Sequence, residues 1–435
     1  METTLILFTI FIVLFLMHVP IGISLGTSCL VTMMMTTDFN LSMLANKMFF
    51  SLESEPLMSI PGFILAGAIM AEGGISKYLI EFMRAWVGHF LGGMSIVTVA
   101  SCSFFAAISG SSPATAAAIG SIMVPGMIDA GYDKKYAMGL VAASGTLGIL
   151  IPPSITFVLF SIATDTSIGR LFTAGILPGI FLSMVLIIMA YVTAKIKGYG
   201  GDEKASWSTR WKATYKAIPG ALLPVVILGT IYGGIATPTE ASIISVFYAI
   251  FVGIFIYKEL HWKEFRKSLR DGVGITAMIF LIIAAASIFA LFLTDQQIPQ
   301  AVIYWALKSG DAVSKTNFWI FTQLLFLVLG TFLEAVAIVL ITLPILGPLA
   351  VNLDINLYHF AVVMVVNIEL AMITPPVGLN LFVVSNIAKA SLEDVVRGVA
   401  PFIVIMILVM IVFVIFPQIS LYLPDLIMGP IKSIR

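Results

Sequence analysis

Long apolar stretches, separated by short polar or Gly- and Pro-rich breaks, repeat along the whole chain. They predict helices at 5–19, 21–36, 57–72, 79–91, 95–128, 135–163, 172–194, 218–236, 238–257, 272–294, 298–308, 318–350, 357–387 and 396–416. Lipid leaves backbone groups no water to bond, so helix is the default for such runs. None shows the alternation of a barrel strand. Three segments, 95–128, 135–163 and 357–387, are too long or too broken by Gly and Pro to be single straight helices. The first contains Ile108-Ser-Gly-Ser-Ser-Pro-Ala-Thr115, whose unpaired backbone groups would survive only inside protein or beside a cavity. The apolar run from Leu5 to Met35 follows no basic region and reads as mature membrane helix, not a cleaved signal.

The most polar interior segment, Lys195 to Lys216, divides the chain almost in half. Sliding the second half back by 223 positions sets Pro125 on Pro348, Pro152-Pro153 on Pro375-Pro376, and Gly175-Ile-Leu-Pro178 on Gly398-Val-Ala-Pro401. An internal duplication explains this economically. It predicts repeats over 1–194 and 218–435 with a linker at 195–217. Basic residues favour the cytoplasmic side in short loops. Segment 258–270 carries Lys258, Lys263, Arg266, Lys267 and Arg270, whereas its counterpart at 38–56 carries only Lys47. Lys134 and Lys135 fall on Leu357 and Tyr358. Equivalent loops thus have opposite bias, and the repeats read as inverted, a signature of secondary transporters. With a cytoplasmic linker, both termini fall on the periplasmic side.

Composition sharpens this picture. Of 435 residues 60% are hydrophobic and 11% charged, with a mean hydropathy of +1.07. Too few polar residues exist to cover a water-soluble surface, so the chain is an all-α polytopic membrane protein. Lys plus Arg equals Asp plus Glu at 23 each, which removes the excess positive charge expected of a nucleic-acid binder. Cys29 and Cys102 lie in apolar surroundings and read as packing residues. No Gly-Lys-Ser/Thr triplet is present, so no nucleotide is expected by that route and transport would draw on an ion gradient.

Candidate chemistry sits at four breaks. They are Ser109-Gly-Ser-Ser-Pro-Ala-Thr115, Ser144-Gly-Thr-Leu-Gly-Ile-Leu-Ile-Pro-Pro-Ser154, Gly330-Thr-Phe-Leu-Glu334 and Glu369-Leu-Ala-Met-Ile-Thr-Pro-Pro-Val-Gly-Leu-Asn380. Proline pairs free carbonyls, and carbonyls with hydroxyls make hard-oxygen cages suited to a small cation such as sodium. A single such motif would be read as a kink with tight small-residue packing; four in matched positions point to binding. Glu334 is weighed between binding and structural hydrogen bonding. Glu240, after Thr237-Pro238-Thr239, reads as a cap, and Glu369 as structural support for a broken helix. His18, His89, His261 and His359 form no relay pattern. Lys77, Arg84, Trp86 and Trp262 mark interfacial helices that anchor in headgroups.

At these motifs the sequence closely resembles the large membrane subunit of tripartite ATP-independent periplasmic (TRAP) transporters, the DctM or SiaM type. Ser-Gly-Ser-Ser-Pro-Ala-Thr-Ala-Ala-Ala-Ile-Gly, Gly-Thr-Leu-Gly-Ile-Leu-Ile-Pro-Pro-Ser, Ala-Thr-Pro-Thr-Glu-Ala and Ile-Thr-Pro-Pro-Val-Gly-Leu-Asn-Leu-Phe carry the likeness, which spans essentially the whole chain. The resemblance implies an elevator-type fold with re-entrant hairpins near 95–118 and 318–343. Scaffold helices would lie in 1–60 and 218–271, with arm and transport elements in 61–194 and 272–435. It implies sodium-coupled uptake of an organic acid in the bacterial inner membrane, with at least two sodium ions. A soluble periplasmic binding protein would deliver the acid. A small four-helix membrane subunit is expected as a separate chain, because no extra apolar segments stand at either end.

Carried over residue by residue, one sodium site would use Ser109, Gly110, Ser112, Ser144, Gly145, Gly148 and Pro152. The second would use Gly330, Thr331, Met372 and Thr374. Substrate would lie near Ser111, Ser154, Thr156 and Glu334. The likeness looks nearest to the sialic acid branch, while the family also moves C4-dicarboxylates. A stand-alone ion-coupled anion carrier is the alternative, and it would need no binding protein. An intramembrane enzyme would need a general base beside Ser109 or Ser111, and no His or Lys is spaced for that.

Overall fold

The computed structural model describes residues 2–36, 41–308 and 314–430, and among these it contains helices and no strands. The first half comprises α1 (Glu2–Leu16), α2 (Ile21–Thr36), α3 (Leu41–Ser51), α4 (Ser59–Glu72), α5 (Ile75–Val87), α6 (Gly93–Ser109), α7 (Ser112–Asp129), α8 (Lys134–Gly145), α9 (Ile155–Thr164) and α10 (Ile168–Lys197). The second comprises α11 (Trp207–Tyr232), α12 (Pro238–Phe251), α13 (Trp262–Asp295), α14 (Ile298–Lys308), α15 (Lys315–Gly330), α16 (Ala335–Asn352), α17 (Leu357–Ala371), α18 (Leu379–Ala388), α19 (Leu392–Ile415) and α20 (Gln418–Met428). Six described helices are long and apolar enough to cross a membrane, α10 to α13, α16 and α19, with α12 continued by a π turn to Ile256. Phe247, Phe255 and Val225, all more than half exposed, lie on such helices, as expected where lipid is the solvent.

Each over-long segment divides where its sequence demands. The run 95–128 becomes α6 and α7, because Gly110 adopts a left-handed φ of 59° and Pro113 supplies no N–H to continue the ladder. The run 135–163 becomes α8, a 3₁₀ turn at 146–149 and α9, split at the cis pair Pro152-Pro153. The run 357–387 becomes α17 and α18, split at the cis pair Pro375-Pro376. Spacing between halves is kept: α16 begins and ends 223 residues after α7, and α17 begins 223 after α8.

Several boundaries differ from expectation. The polar segment 195–217 is mostly helical, since α10 runs to Lys197 and α11 starts at Trp207. Most of its charged residues are exposed, Arg210 being buried against Trp86 and Trp207, and only 198–206 is left as non-helical connection. Likewise α13 starts at Trp262 and carries the basic cluster, all but Lys258, in its exposed first turns, so the expected scaffold boundary at 271/272 falls inside one continuous helix. The boundary at 60/61 falls inside α4. Helices α3 and α20 add to the expected elements; both are short and interrupted by polar residues, so neither forms a long apolar run.

The halves interlock. α9, from the first broken helix, packs on α16 of the second half, while α18 packs on α7 and α8. α19 lies so close to α8 that a Cβ at Gly139 would collide with the Gly398 carbonyl oxygen. Around this core α4 packs on α12 and α13, and α13 packs on α2. α5 is tied to its neighbours by Lys77–Glu259 at 3.1 Å, Arg84–Asp202 at 2.6 Å and Trp86 Nε1 donating to Thr214 Oγ1 at 2.9 Å.

Candidate transport site

The first break is a knot of oxygens. Ser109 Oγ lies 2.6 Å from Thr115 Oγ1, and both hydroxyls donate to the Ser111 carbonyl, at 3.2 and 2.9 Å. The 3₁₀ turn after α8 presses directly on it. A Cβ at Gly148 would strike Ser111 O, one at Gly145 would stand 2.6 Å from the Ala116 methyl, and one at Gly110 2.7 Å from Pro153 O. Ser109, Gly110, Ser111, Gly145 and Gly148 therefore converge. Thr115 joins them although only its motif pointed to it.

Other expected members of the first cation site face elsewhere. Ser144 donates to Leu140 O within its own helix at 2.7 Å. Pro152 lines an apolar crevice of about 470 Å³ with Phe104 and α11 residues. Ser112 donates to Asn380 Oδ1 at 3.1 Å and accepts from Asn380 Nδ2 at 2.8 Å. Asn380 also donates through Nδ2 to Ala142 O and through its backbone N–H to Met372 O, both at 3.1 Å. This one fully buried amide thus ties the second proline break to the first hairpin tip. Its signal in the sequence is a lone Asn inside an apolar run, five residues after Pro375.

At the second break Gly330 abuts Ala371, whose methyl a Cβ there would overlap. Thr331 O accepts from Gly378 N at 3.1 Å. The Thr331 and Thr374 hydroxyls donate to Val328 O and Leu370 O, at 2.8 and 2.7 Å, so their remaining lone pairs are what a ligand could use. Gly330 and Thr331, at the end of α15, thus lie against the 371–378 segment that carries Met372 and Thr374.

Between the tips lies a cavity of about 100 Å³ lined by Ser109, Gly110, Ser111, Thr156, Glu334 and Met372, and walled on the far side by α4 and α13. Ser154 instead caps α9, donating to Ile149 O at 2.6 Å. Two helices begin at this cavity. Ser111 is the N-cap of α7 and Glu334, 223 residues on, the N-cap of α16, and neither side chain caps its own helix. The first-turn N–H groups there have no intrahelical acceptor, and each start carries the positive end of a helix dipole, so an anion is favoured between them. Glu334 is the only ionisable residue among those lining the cavity. It also lines a larger cavity of about 580 Å³ beside His18, Pro20 and Phe332.

Glu240 takes no part here. It closes a capping box on α12, accepting from Thr237 N at 2.8 Å while Thr237 Oγ1 accepts from Glu240 N at 3.2 Å.

The family model described as "Tripartite ATP-independent periplasmic transporter, DctM component" matches residues 8–419. The chain belongs to the DctM family. It is 41% identical to the C4-dicarboxylate TRAP transporter large permease protein DctM of Vibrio cholerae, over 98% of both chains. It is 34% identical to the sialic acid TRAP transporter large permease protein SiaM of the same organism, over 94% of this chain and 96% of that one. Among solved structures it resembles the YdaH transporter of Alcanivorax borkumensis, with a TM-score of 0.61, 13% identity, and 86% and 87% of the two chains covered. That likeness concerns fold alone. This DctM component is a multi-pass membrane permease of a tripartite transporter.

Proposed function

We propose that this permease carries out sodium-coupled uptake of a small organic acid across the bacterial inner membrane, with a C4-dicarboxylate as the substrate class. The observation that carries this is the small cavity at which α7 and α16 both begin uncapped. Two helix starts facing one cavity of about 100 Å³ suit a compact anion with a carboxylate at each end better than a bulky sugar acid. The 41% likeness to a C4-dicarboxylate permease, against 34% for the sialic acid one, supports the same choice.

Charge balance supports sodium coupling. A dicarboxylate beside Glu334 brings negative charge into a site lined by no Lys or Arg, so cations must enter with it. The oxygen knot at Ser109-Ser111-Thr115 supplies hard donors for one such ion, and the hydroxyl and carbonyl oxygens of Thr331, Met372 and Thr374 are the candidate donors for a second. Ions and acid share the same tips, so each occupant favours the geometry the other needs. In this reading the hairpin-bearing core slides against α4, α12 and α13 as an elevator, and both termini face the periplasm. A soluble binding protein delivers the acid and a small membrane subunit enlarges the scaffold. An isethionate permease named DctMQ, from Oleidesulfovibrio alaskensis, supports the second partner: this chain matches 66% of its length, leaving room for a fused unit.

The deciding experiment is uptake of labelled succinate and labelled sialic acid into proteoliposomes holding this chain and its small membrane partner, with or without binding protein and an inward sodium gradient. Succinate uptake requiring both additions is the expected outcome. Uptake of sialic acid alone would overturn the substrate, and sodium-driven uptake without binding protein would favour a stand-alone carrier.

A further inference from the structure

Glu369 is a fully buried acid to which the transport reading gives no task. It occupies the last turn of α17 at 0% exposure, and neither carboxylate oxygen has a hydrogen-bond partner. Charge is disfavoured there twice. An unpaired carboxylate in an apolar interior takes a proton rather than bear the cost of desolvation. The C-terminal turn of a helix also presents the negative end of its dipole.

No counter-ion faces it among the described residues. α17 packs against α9, α10, α15, α16, α19, α20 and the 146–149 turn. α9, α16 and that turn carry no ionisable residue within their spans, and the groups that bound them, Asp165 after α9 and Glu334 before α16, are acids and no counter-ions. Those on the others stand at or towards helix ends: Arg170, Tyr191, Lys195 and Lys197 on α10, Lys315 on α15, Glu393, Asp394 and Arg397 on α19, Tyr422 and Asp425 on α20. On α17 itself Tyr358 and His359 occupy the first turn, where Arg170 stacks over Tyr358 and pairs with Asp425, and His359 meets Ser420. That cluster lies roughly 16 Å along the helix from Glu369, at about 1.5 Å per residue.

Nor does the fold require an acid at this place. Thr146 stands 223 residues earlier, the same six positions before its own proline pair, and its hydroxyl donates to Ala143 O at 2.7 Å. A self-satisfied threonine completes the equivalent break. An acid that is unnecessary for the turn and unsatisfied within it calls for another role.

We propose that Glu369 is a proton-binding site of the moving core: its carboxyl carries a proton while buried and exchanges it with water once in each transport cycle. The proton comes from water on the side where substrate enters and leaves to water on the other, so one proton accompanies each acid. The inference rests on the transport reading for the existence of a cycle and is independent of the sodium assignment.

Two measurements test it. Infrared spectra of the full chain in lipid, taken across a pH series, should contain a neutral carboxyl C=O band that vanishes in Glu369→Gln and persists in Glu334→Gln. Absence of a Glu369-dependent neutral band overturns the proposal, whatever the substrate. In proteoliposomes holding the complete transporter, a gradient of one pH unit, acid outside, should raise succinate accumulation by up to about tenfold. Glu369→Gln should lose this response and keep the sodium response, while Glu369→Asp should retain both. A sodium response with no pH response in the unmodified chain overturns the proton site and spares the sodium reading. A pH response with no sodium response does the reverse. If succinate moves under neither gradient, the transport reading falls and the exchange step falls with it, whether or not the carboxyl band is present.

Discussion

At the level of single residues, the first hairpin tip gathers hydroxyls on a helix end, which is what the proposed cation cage requires. Ser109 and Thr115 both converge on one carbonyl, that of Ser111, and concentrate oxygens where the helix has none to spare for its own ladder. Replacing Ser109 with Ala removes a donor to Ser111 and a partner of Thr115, each worth about 1 kcal/mol. The sodium concentration for half-maximal uptake should rise about tenfold, read from sodium titrations of initial rate; an unchanged titration would remove Ser109 from the site. Asn380 makes a different demand. Asn380→Leu would leave the buried Ser112 hydroxyl and the Ala142 carbonyl short of a partner, at about 1–3 kcal/mol for each unsatisfied group. A lower thermal midpoint in detergent is expected, together with lost uptake; a midpoint equal to that of the unmodified chain would show that the amide is not the tie the geometry implies.

The elements explain why these residues meet. Three of the breaks hold prolines, which cannot continue a helix ladder, the break at 330–334 holds none, and the glycines beside the breaks let one broken helix press against another. Gly148 is the sharpest case, because the atom a methyl group would strike is the backbone oxygen of Ser111, which cannot swing aside. Overpacking of this kind costs about 1–3 kcal/mol. Gly148→Ala should therefore leave the chain in the membrane at normal levels while uptake falls more than tenfold, measured as rate per amount of purified protein. Gly131, where an added methyl group would meet no atom within 4 Å but φ is 85°, offers a control: alanine there strains a surface turn and leaves the core contacts alone.

On the scale of the whole molecule, the cavity wall is divided between two bodies in the elevator reading. The hairpin tips supply one side, and α4 with α13 the other. If the core slides, a tether across this seam must stop transport. Ala68→Cys on α4 and Ala114→Cys on α7 line the same cavity, and the native Cys29 and Cys102 are buried. A short bifunctional maleimide should abolish succinate uptake in the double variant and spare each single one. Uptake that survives verified cross-linking would mean that the wall does not move.

Much of this was determined by the sequence alone. Apolar run length fixed lipid as the solvent and helix as the element, since no other open-ended structure satisfies its backbone there. Glycine and proline marked every break, because their constraints on φ and on N–H donation are local. The 223-residue register needed only matched prolines. What the tertiary structure decided are the pairings across long sequence distance: Ser112 with Asn380, α9 with α16, Gly139 with Gly398. Local propensity cannot encode such partners, which depend on how two halves interlock. The same limit applies to side-chain direction. Ser111 and Ser112 are neighbours of one type in one motif, yet the first lines the cavity and the second bonds Asn380, because a helix start turns successive residues to different faces.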